Sequence, residues 1–466
     1  MTIVPADHNQ KKKPRVSSKS KRRFVENEKA PLLPKLSDEG GGEFNGASFI
    51  GAVFNLSTTI IGAGIMALPA VMKVLGVGVG VGLVVVVGVL SEASIEMLLR
   101  FSKAGKKVSY GGVMEDAFGG FGKMLLQICV LVNNVGILIV YMIIIGDVLS
   151  GTTLSGIHHA GVLEEWFGEH WWNGRIVVLL VATLAVFAPM ASFKRIDSLR
   201  FTSALAVALA LVFLAITAGI TAVKLASGTL TMPRWLPDIT NLASVWNLFT
   251  VVPVLVTAYI CHYNVHTIEN ELEQPSLIQP VVQTSLSLCS IVYIMISFFG
   301  LLLFGDSTLS DVLSNFDSDL GIPYSSLLND AVRVSYVLHL MLVFPIIFHP
   351  LRLNLDGLLF PSSPRPLVSD NRRFTLLSIA LIFLILLGAN LIPSIWVAFQ
   401  FTGATAAVCL GFIFPACIAL KDPNGVATNK DKVLSMGMIG LAVFTNGIAI
   451  YSNAYALYKQ HASPSA

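Results

Sequence analysis

The segment from Asn55 to Pro69 combines polar residues, two glycines and a proline, which is unusual for a regular helix. It lies inside an apolar stretch and contains Gly62 and Gly64. Glycine lowers helix propensity and proline removes a backbone donor, so we expect a helix that breaks at the glycines. A break releases N–H groups, which suit a carboxylate, and carbonyl groups, which suit a cation or an ammonium group. The segment is therefore a candidate binding site for a small charged ligand.

Polar side chains precede the glycines and add oxygen atoms to this candidate site. Asn55, Ser57, Thr58 and Thr59 all come shortly before Gly62. The alternative is a glycine seam that lets two helices pack closely. Close packing does not need the polar residues, so the binding site is the favoured interpretation. The candidate substrate ligands in this segment are Thr58, Gly62, Ala63 and Gly64.

A second polar region interrupts a later apolar stretch and is the expected partner of the first. Pro253 and Thr257 are four residues apart, so they could open one helical turn, although this stretch contains no glycine. We expect Thr257 and Tyr259 to contribute to substrate binding. His262 could carry a proton near neutral pH, or it could be a helix-end residue that is hydrogen-bonded to the backbone.

Two further apolar stretches contain polar residues in their middle. Asn134 and Tyr141 are seven residues apart and share one helical face, which could line a cavity or join two helices. His339 is an ionisable residue within an apolar helix, and such residues are functional candidates by default. The alternative for His339 is a neutral imidazole that donates to a backbone carbonyl.

The composition indicates that these residues lie on membrane-spanning helices. The chain has 466 residues, of which 54% are hydrophobic and 13% charged, and its mean hydropathy is +0.73. Soluble domains carry about 25% charged residues. The apolar stretches predict an all-α polytopic membrane protein with eleven spans. These are residues 47–71, 77–101, 123–149, 175–192, 198–225, 244–264, 279–304, 326–350, 373–392, 394–420 and 433–457.

The distribution of basic residues predicts the orientation. With the N-terminus in the cytoplasm, 25 of the 31 Lys and Arg residues fall on the cytoplasmic side. The first 46 residues are polar and basic, and we expect a disordered cytoplasmic tail without a signal peptide. Its basic run at 11–23 could contact anionic membrane lipids or simply be solvated.

Short motifs point to a sorting signal but not to catalysis. Glu28, followed four and five residues later by Leu32 and Leu33, matches the acidic dileucine pattern that clathrin adaptors recognise. The chain has no phosphate-binding glycine loop, zinc-ligand spacing or nucleophile elbow, so we expect neither an enzyme nor a metal site. We expect no nucleic-acid partner, and we interpret the five cysteines as free thiols.

Several of these motifs resemble the amino acid/auxin permease family, in the branch related to sodium-coupled neutral amino acid transporters. They are residues 54–69 (FNLSTTIIGAGIMALP), 260–264 (ICHYN), 344–352 (FPIIFHPLR) and 401–405 (FTGAT). Residues 164–174 (EEWFGEHWWNG) and 328–333 (LNDAVR) resemble the plant vacuolar amino acid transporters in particular. The resemblance extends in order from about residue 46 to residue 459.

The resemblance implies a leucine-transporter-type fold with an inverted 5+5 repeat. The first repeat would be about 47–225 and the second about 244–420, with an additional helix at 433–457 in a transporter domain of 47–460. The resemblance also implies that Asn55 is an ion or water ligand and that the Gly62–Gly64 backbone holds the carboxylate of an amino acid.

One departure from the sodium-coupled relatives concerns the coupling ion. Those relatives place a hydroxyl shortly before the motif at 344–352, whereas residues 339–344 of this chain contain none. Thr58 also replaces an asparagine that is usual there. Protons are therefore favoured over sodium, with Asn55, His262 and His339 as candidate coupling residues, and no other cofactor is expected.

These observations predict a transporter of neutral or acidic amino acids in the plant vacuolar membrane. We expect alternating access, either proton-coupled or facilitative. One alternative is a membrane amino acid sensor that signals through the N-terminal tail. Another is a sodium-coupled amino acid importer of the plasma membrane.

Overall fold

Helices dominate the computed structural model, which describes residues 46–154, 157–317, 319–392 and 403–462. In the first half of the chain they are α1 Phe49–Ile60, α2 Gly64–Leu75, α3 Val77–Gly105, α4 Tyr110–Ser150, α5 Val162–Phe167, α6 Arg175–Ala182, α7 Ala188–Ala191 and α8 Arg200–Ala226. In the second half they are α9 Leu242–Thr250, α10 Val252–Ala258, α11 His262–Glu271, α12 Ile278–Phe304, α13 Ser325–Leu359, α14 Asn371–Leu391, α15 Phe414–Lys421 and α16 Asn429–Ala462.

Shorter elements connect or extend these helices. A π-helical segment, Thr183–Phe187, joins α6 to α7, and two more, Gly403–Ala407 and Cys409–Ile413, precede α15. The strands β1 Thr152–Leu154 and β2 Ile157–His159 pair antiparallel in a small hairpin after α4. The hairpin was not predicted, because its few residues carry no alternating hydrophobic pattern.

The apolar helices coincide with the predicted spans. Eight helices in the described part are long and apolar enough to cross a membrane, and α1 and α2 together form a ninth, bent candidate. Two shorter apolar helices, Arg175–Ala191 and Thr405–Lys421, overlap the fourth and tenth predicted spans. The all-α membrane architecture is thus confirmed, whereas the number of eleven crossings stays a prediction.

Some helices extend beyond the apolar segments that predicted them. The third span was expected to start at residue 123, but α4 starts at Tyr110, where the Ser109 side chain accepts a hydrogen bond from the Gly112 N–H at 3.0 Å. The helix kinks at Gly119, which has a φ of 67°. That conformation favours glycine because it has no Cβ. The prediction missed this first portion because hydropathy reports the apolar part of a helix only.

The core is built around α13. This helix packs against α4 and α8, while α12 packs against α1, α2 and α8. Arg352 on α13 is 2% exposed and donates to the carbonyl groups of Ala191 at 2.5 Å and Phe193 at 3.1 Å. Its guanidinium also lies 3.7 Å from the centre of the Phe374 ring. Arg352 thereby joins α13 to the end of α7 and to α14.

Ion pairs attach the hairpin region to the start of α13. Arg333 donates to the Glu165 carboxylate at 2.8 Å and to the Ala160 carbonyl at 2.7 Å. The Trp166 indole N–H donates to the Asp330 carboxylate at 2.8 Å. The two segments that resemble plant vacuolar transporters, 164–174 and 328–333, are therefore direct contact partners.

The beginning of the described chain is bonded to the end of α11. The Ala47 N–H donates to the Glu271 carbonyl at 2.7 Å, and the Ala47 carbonyl accepts from the Glu273 N–H at 3.1 Å. Elsewhere in the fold, all five cysteines are free thiols, as the sequence predicted.

Candidate functional site

The first helix breaks at the glycines that predicted it. α1 ends at Ile60, α2 begins at Gly64, and their axes differ by 59°. The Ile61 N–H still bonds to the Ser57 carbonyl at 2.8 Å. In the described part of the chain, no backbone carbonyl accepts from the N–H groups of Gly62 or Gly64. Those donors are available for an anionic ligand.

Two tyrosines from distant helices meet this break. The hydroxyl of Tyr141 on α4 occupies the position that a side chain at Gly62 would need. Tyr141 also forms a hydrogen bond with the backbone of Ala63. The Tyr336 hydroxyl, from α13, donates to the Gly62 carbonyl at 3.1 Å. Glycine at position 62 is therefore required by the close approach of a phenol.

A second break lies between α10 and α11. Residues 259–261 are not helical, and Cys261 has a φ of −141° and a ψ of 0°. The open turn that we predicted between Pro253 and Thr257 is wrong, because both residues lie within α10 and the Thr257 hydroxyl donates to the Pro253 carbonyl at 2.8 Å. Proline is tolerated there because it occupies the first turn of a helix.

The two breaks contact each other. The Tyr293 hydroxyl, from α12, lies 2.7 Å from the Ile60 carbonyl and 2.7 Å from the Ala258 carbonyl. A hydroxyl has one proton, so it shares this proton between the carbonyl groups that end α1 and α10. Gly64 packs against the backbone of Ala258 beside it. We call this meeting of the two breaks the junction.

Most predicted polar ligands are hydrogen-bonded to neighbouring segments of the protein. Asn55 donates to the Ile196 carbonyl at 3.0 Å and Thr58 to the Ser203 carbonyl at 3.0 Å. Asn134 donates to the Ile347 carbonyl at 3.2 Å. The Tyr259 hydroxyl lies 2.7 Å from the Ser290 hydroxyl. The bonds of Asn55 and Thr58 join α1 to the surrounding structure, and the Oδ1 atom of Asn55 is buried without a hydrogen-bond partner in the described part.

Asn264 is a polar residue near the junction that was not among the predicted ligands. Its Nδ2 atom donates to the Thr59 hydroxyl at 3.0 Å and to the Ile346 carbonyl at 3.1 Å. It therefore connects α11 to both α1 and α13. Its place in the ICHYN motif was the available signal. Tyr293 and Tyr336 carried no such signal, because each lies in an otherwise ordinary helical stretch.

The two candidate histidines are fully buried and make different contacts. Nε2 of His262 lies 2.6 Å from the Ser94 hydroxyl on α3. Nδ1 of His339 lies 2.8 Å from the Ala206 carbonyl on α8, and its Nε2 has no hydrogen-bond partner in the described residues. The contact to a backbone carbonyl matches the alternative considered for His339. The sorting residues Glu28, Leu32 and Leu33 lie outside the described residues.

The helical fold is of the leucine-transporter type. A similar structure is that of a manganese transporter from Eremococcus coleocola, which is 14% identical and has a TM-score of 0.51. The alignment covers 90% of this chain and 88% of the other. At this identity the likeness concerns the fold alone.

Sequence comparison places the chain within a family. Residues 45–457 match the family model described as transmembrane amino acid transporter protein, and the chain belongs to this family. It is 70% identical over 435 residues to the amino acid transporter AVT6A of Arabidopsis thaliana, covering 93% of this chain and 94% of the relative. It is 44% identical to AVT6C, with 90% and 96% covered. The solute carrier family 38 member 10 of Rattus norvegicus is 26% identical, and the alignment covers 85% of this chain and 35% of that protein.

Proposed function

We propose that the chain is a secondary active transporter that moves neutral or acidic amino acids across the vacuolar membrane by alternating access. The observation that carries this proposal is the junction, where one tyrosine hydroxyl serves the ends of both α1 and α10. Paired broken helices are where transporters of this architecture bind substrates and coupling ions. The relatives AVT6A and AVT6C are named amino acid transporters, which supports this substrate class.

The chemistry of the junction suits the two charged ends of an amino acid. The N–H groups of Gly62 and Gly64, together with the Tyr141 hydroxyl, can donate to a carboxylate. Carbonyl groups at the ends of α1 and α10 can accept from an ammonium group. The side chains named here at the two breaks include no carboxylate that would favour a cationic substrate side chain; they are Tyr141, Tyr293, Tyr336, Asn264 and His339.

The proposed coupling ion is the proton. His339 lies on α13 beside α8 and the backbone of Ile61, at the α1 break. A hydroxyl there would add a hard oxygen for sodium, whereas an imidazole adds a proton-binding nitrogen.

The sodium-coupled alternative is favoured by a different observation. The buried oxygens Asn55 Oδ1, Ser57 Oγ and Ser203 Oγ have no hydrogen-bond partners in the described part.

The proposed topology follows the distribution of charge. The N-terminus would be cytoplasmic, with residues 1–46 as a tail that can reach membrane lipids and, through its dileucine pattern, a clathrin adaptor. The repeats 47–225 and 244–420 would carry one break each, and 433–457 would be an additional helix. Vacuolar residence is supported by the resemblance of the 164–174 and 328–333 segments.

The experiment is uptake of a panel of labelled amino acids into vesicles that contain the purified protein. A pH gradient, a sodium gradient or neither is imposed. The proposal expects uptake of neutral or acidic amino acids that responds to the pH gradient, or uptake that needs no ion gradient. Strong sodium dependence without a pH effect would establish the sodium-coupled alternative. Binding without any flux would support the sensor, and removal of residues 1–40 would then abolish partner binding.

A further inference from the structure

His266 is a buried histidine whose two ring nitrogens have no hydrogen-bond partner among the described residues. The residue is 3% exposed. Buried polar groups are nearly always hydrogen-bonded, and an exception in a folded protein indicates a missing water, an ion or a functional role. His266 belongs neither to the junction nor to the predicted coupling residues, so its two unpartnered ring nitrogens need an explanation.

The position of His266 on α11 links the junction to the end of that helix. His262, at the start of α11, is four residues earlier, so the two imidazoles share one helical face one turn apart. Glu269, which is 8% exposed, follows three residues later on the same side. Nδ1 of His262 also lacks a partner in the described part. The three side chains form a line of proton-binding groups along α11.

The neighbours of His266 pack against its ring without forming a hydrogen bond to either ring nitrogen. Tyr110 of α4 stacks on the imidazole at a centroid distance of 6.4 Å and an interplanar angle of 23°. The Tyr110 hydroxyl donates a hydrogen bond to the Leu410 carbonyl at 2.8 Å, so it is not directed at His266. The thiols of Cys129, Cys409 and Cys417 lie near Tyr110.

A charged neighbour lies at the Glu269 end of this line. Lys103 of α3 acts electrostatically on the Glu269 carboxyl. α1, which also packs against α11, has no titratable side chain. Those of α12 are used at the junction: Tyr293 bonds to the two breaks and the Cys289 thiol donates to the Ser57 carbonyl. Neither α1 nor α12 carries a charged side chain that could compete with a proton at His266.

We propose that His266 is a proton-binding site that relays protons between His262 at the junction and Glu269 at the cytosolic end of α11. A neutral imidazole has one N–H and one free nitrogen. The free nitrogen binds the incoming proton and the other nitrogen releases its own proton to the next group, so the ring returns to the neutral state. Reorientation of the ring then restores the starting tautomer. This proposal rests on the proton coupling proposed above.

The test separates proton movement from substrate movement. In vesicles containing the full-length protein, His266→Gln and His266→Phe should lower accumulation driven by a pH gradient at least about tenfold. Exchange of labelled for unlabelled substrate at equal pH should stay within about twofold of the wild type, because exchange needs no net proton transfer. Phenylalanine preserves the stack on Tyr110 and glutamine does not, so a similar loss in both variants points to the lost proton-binding nitrogens rather than to the lost stack.

His349→Gln is the matched control. His349 is also buried, at 5% exposure, but it lies on α13 and its Nε2 is 3.3 Å from the Lys194 carbonyl. Accumulation by this variant should equal that of the wild type. Normal pH-driven accumulation by the folded His266 variants overturns the relay, and so does an equal loss of accumulation and exchange, which indicates a structural role.

The response of the wild type to the pH gradient separates a failure of proton coupling from a failure of the relay. If the wild type ignores the pH gradient, the proposed proton coupling fails and the relay fails with it; a responsive wild type with a normal His266→Gln variant overturns the relay alone. If neither His266 variant folds, Glu269→Gln gives the answer. Loss of accumulation with retained exchange supports the relay, and normal accumulation overturns it.

Discussion

Gly64 packs against the backbone of Ala258: a Cβ atom at position 64 would lie 3.1 Å from the Ala258 Cα. These residues begin α2 and end α10, and 194 positions separate them in the sequence. The contact is what places the two helix breaks side by side. Without it, the carbonyl groups of Ile60 and Ala258 could not share the Tyr293 hydroxyl.

Gly64→Val should therefore abolish transport by separating the two breaks. The added methyl groups would meet the Ala258 backbone, which cannot move as a side-chain end can. Gly62→Val should also abolish transport, since its side chain would displace the Tyr141 hydroxyl. We expect uptake to fall at least about tenfold while the protein still reaches the membrane, because overpacking here costs about 1–3 kcal/mol.

Gly82→Val is the control for both substitutions. Gly82 lies on α3, and a Cβ atom there would have no neighbour within 4 Å. Its uptake should match the wild type. Wild-type flux in Gly62→Val or Gly64→Val would refute the proposal that the backbone at Gly62–Gly64 binds the substrate carboxylate.

Tyr293→Phe should destabilise the protein and slow transport. The substitution leaves two buried carbonyl groups without their donor, and an unsatisfied buried group costs about 1–3 kcal/mol. Thermal unfolding of the solubilised protein and uptake in vesicles measure the two effects. Tyr324→Phe is the comparison, because that side chain is 80% exposed and the change should be neutral. Equal stability of the two variants would contradict the role assigned to Tyr293.

The Arg333–Glu165 ion pair should contribute measurable stability. The Arg333 side chain is 7% exposed and that of Glu165 is 33% exposed. A double-mutant cycle with Arg333→Gln and Glu165→Gln should give a coupling energy of about 1.5–3 kcal/mol, the range for hydrogen bonds to charged groups. The exposed pair of Arg234 and Asp238, with side chains 50% and 58% exposed, should give less. Similar energies for both pairs would mean that the hairpin region is not fastened at Arg333.

Asp311 should make stability depend on pH. It lies in the loop before α13, and burial raises the pKa of its carboxyl from 3.8 to about 6. The folded state thus favours the protonated form, whose contribution is full below the unfolded pKa of 3.8 and is lost as the pH rises through about 6. Asp311→Asn should be as stable as the wild type at low pH and more stable above pH 6.

Asp319→Asn is a control of opposite sign in the same loop. The Gly321 N–H donates to the Asp319 carboxylate at 3.0 Å and lowers its pKa. Its contribution is therefore present at neutral pH and lost as the medium is acidified. Melting temperatures between pH 4 and pH 8 measure both variants. Parallel curves for wild type and Asp311→Asn would show that this carboxyl is not buried in the folded protein.

The helical architecture and the first break could be predicted because their causes are local. Long apolar stretches predict spans, and the glycines at 62 and 64 predict a break. The second break could not be located in the same way. Residues 259–261 include no glycine or proline, and the Ala258 carbonyl that the break frees is held by Tyr293. The cause of that break therefore lies on another helix.

The direction of side chains was equally beyond a local prediction. Thr58 and Asn134 are polar residues in apolar helices, which is the pattern of a ligand-binding residue and of an interhelical hydrogen bond alike. The carbonyl groups that accept their hydrogen bonds are those of Ser203 and Ile347. Such partners are far away in the sequence, and only the packed structure brings them together.

The backbone hydrogen bonds of Ala47 couple the start of the described chain to the end of α11. Ala47 is held on both sides, by the Glu271 carbonyl and the Glu273 N–H. α11 in turn bears His262 and Asn264 at its junction end. A displacement of the chain at Ala47 would therefore reach α11, the helix that begins at the junction.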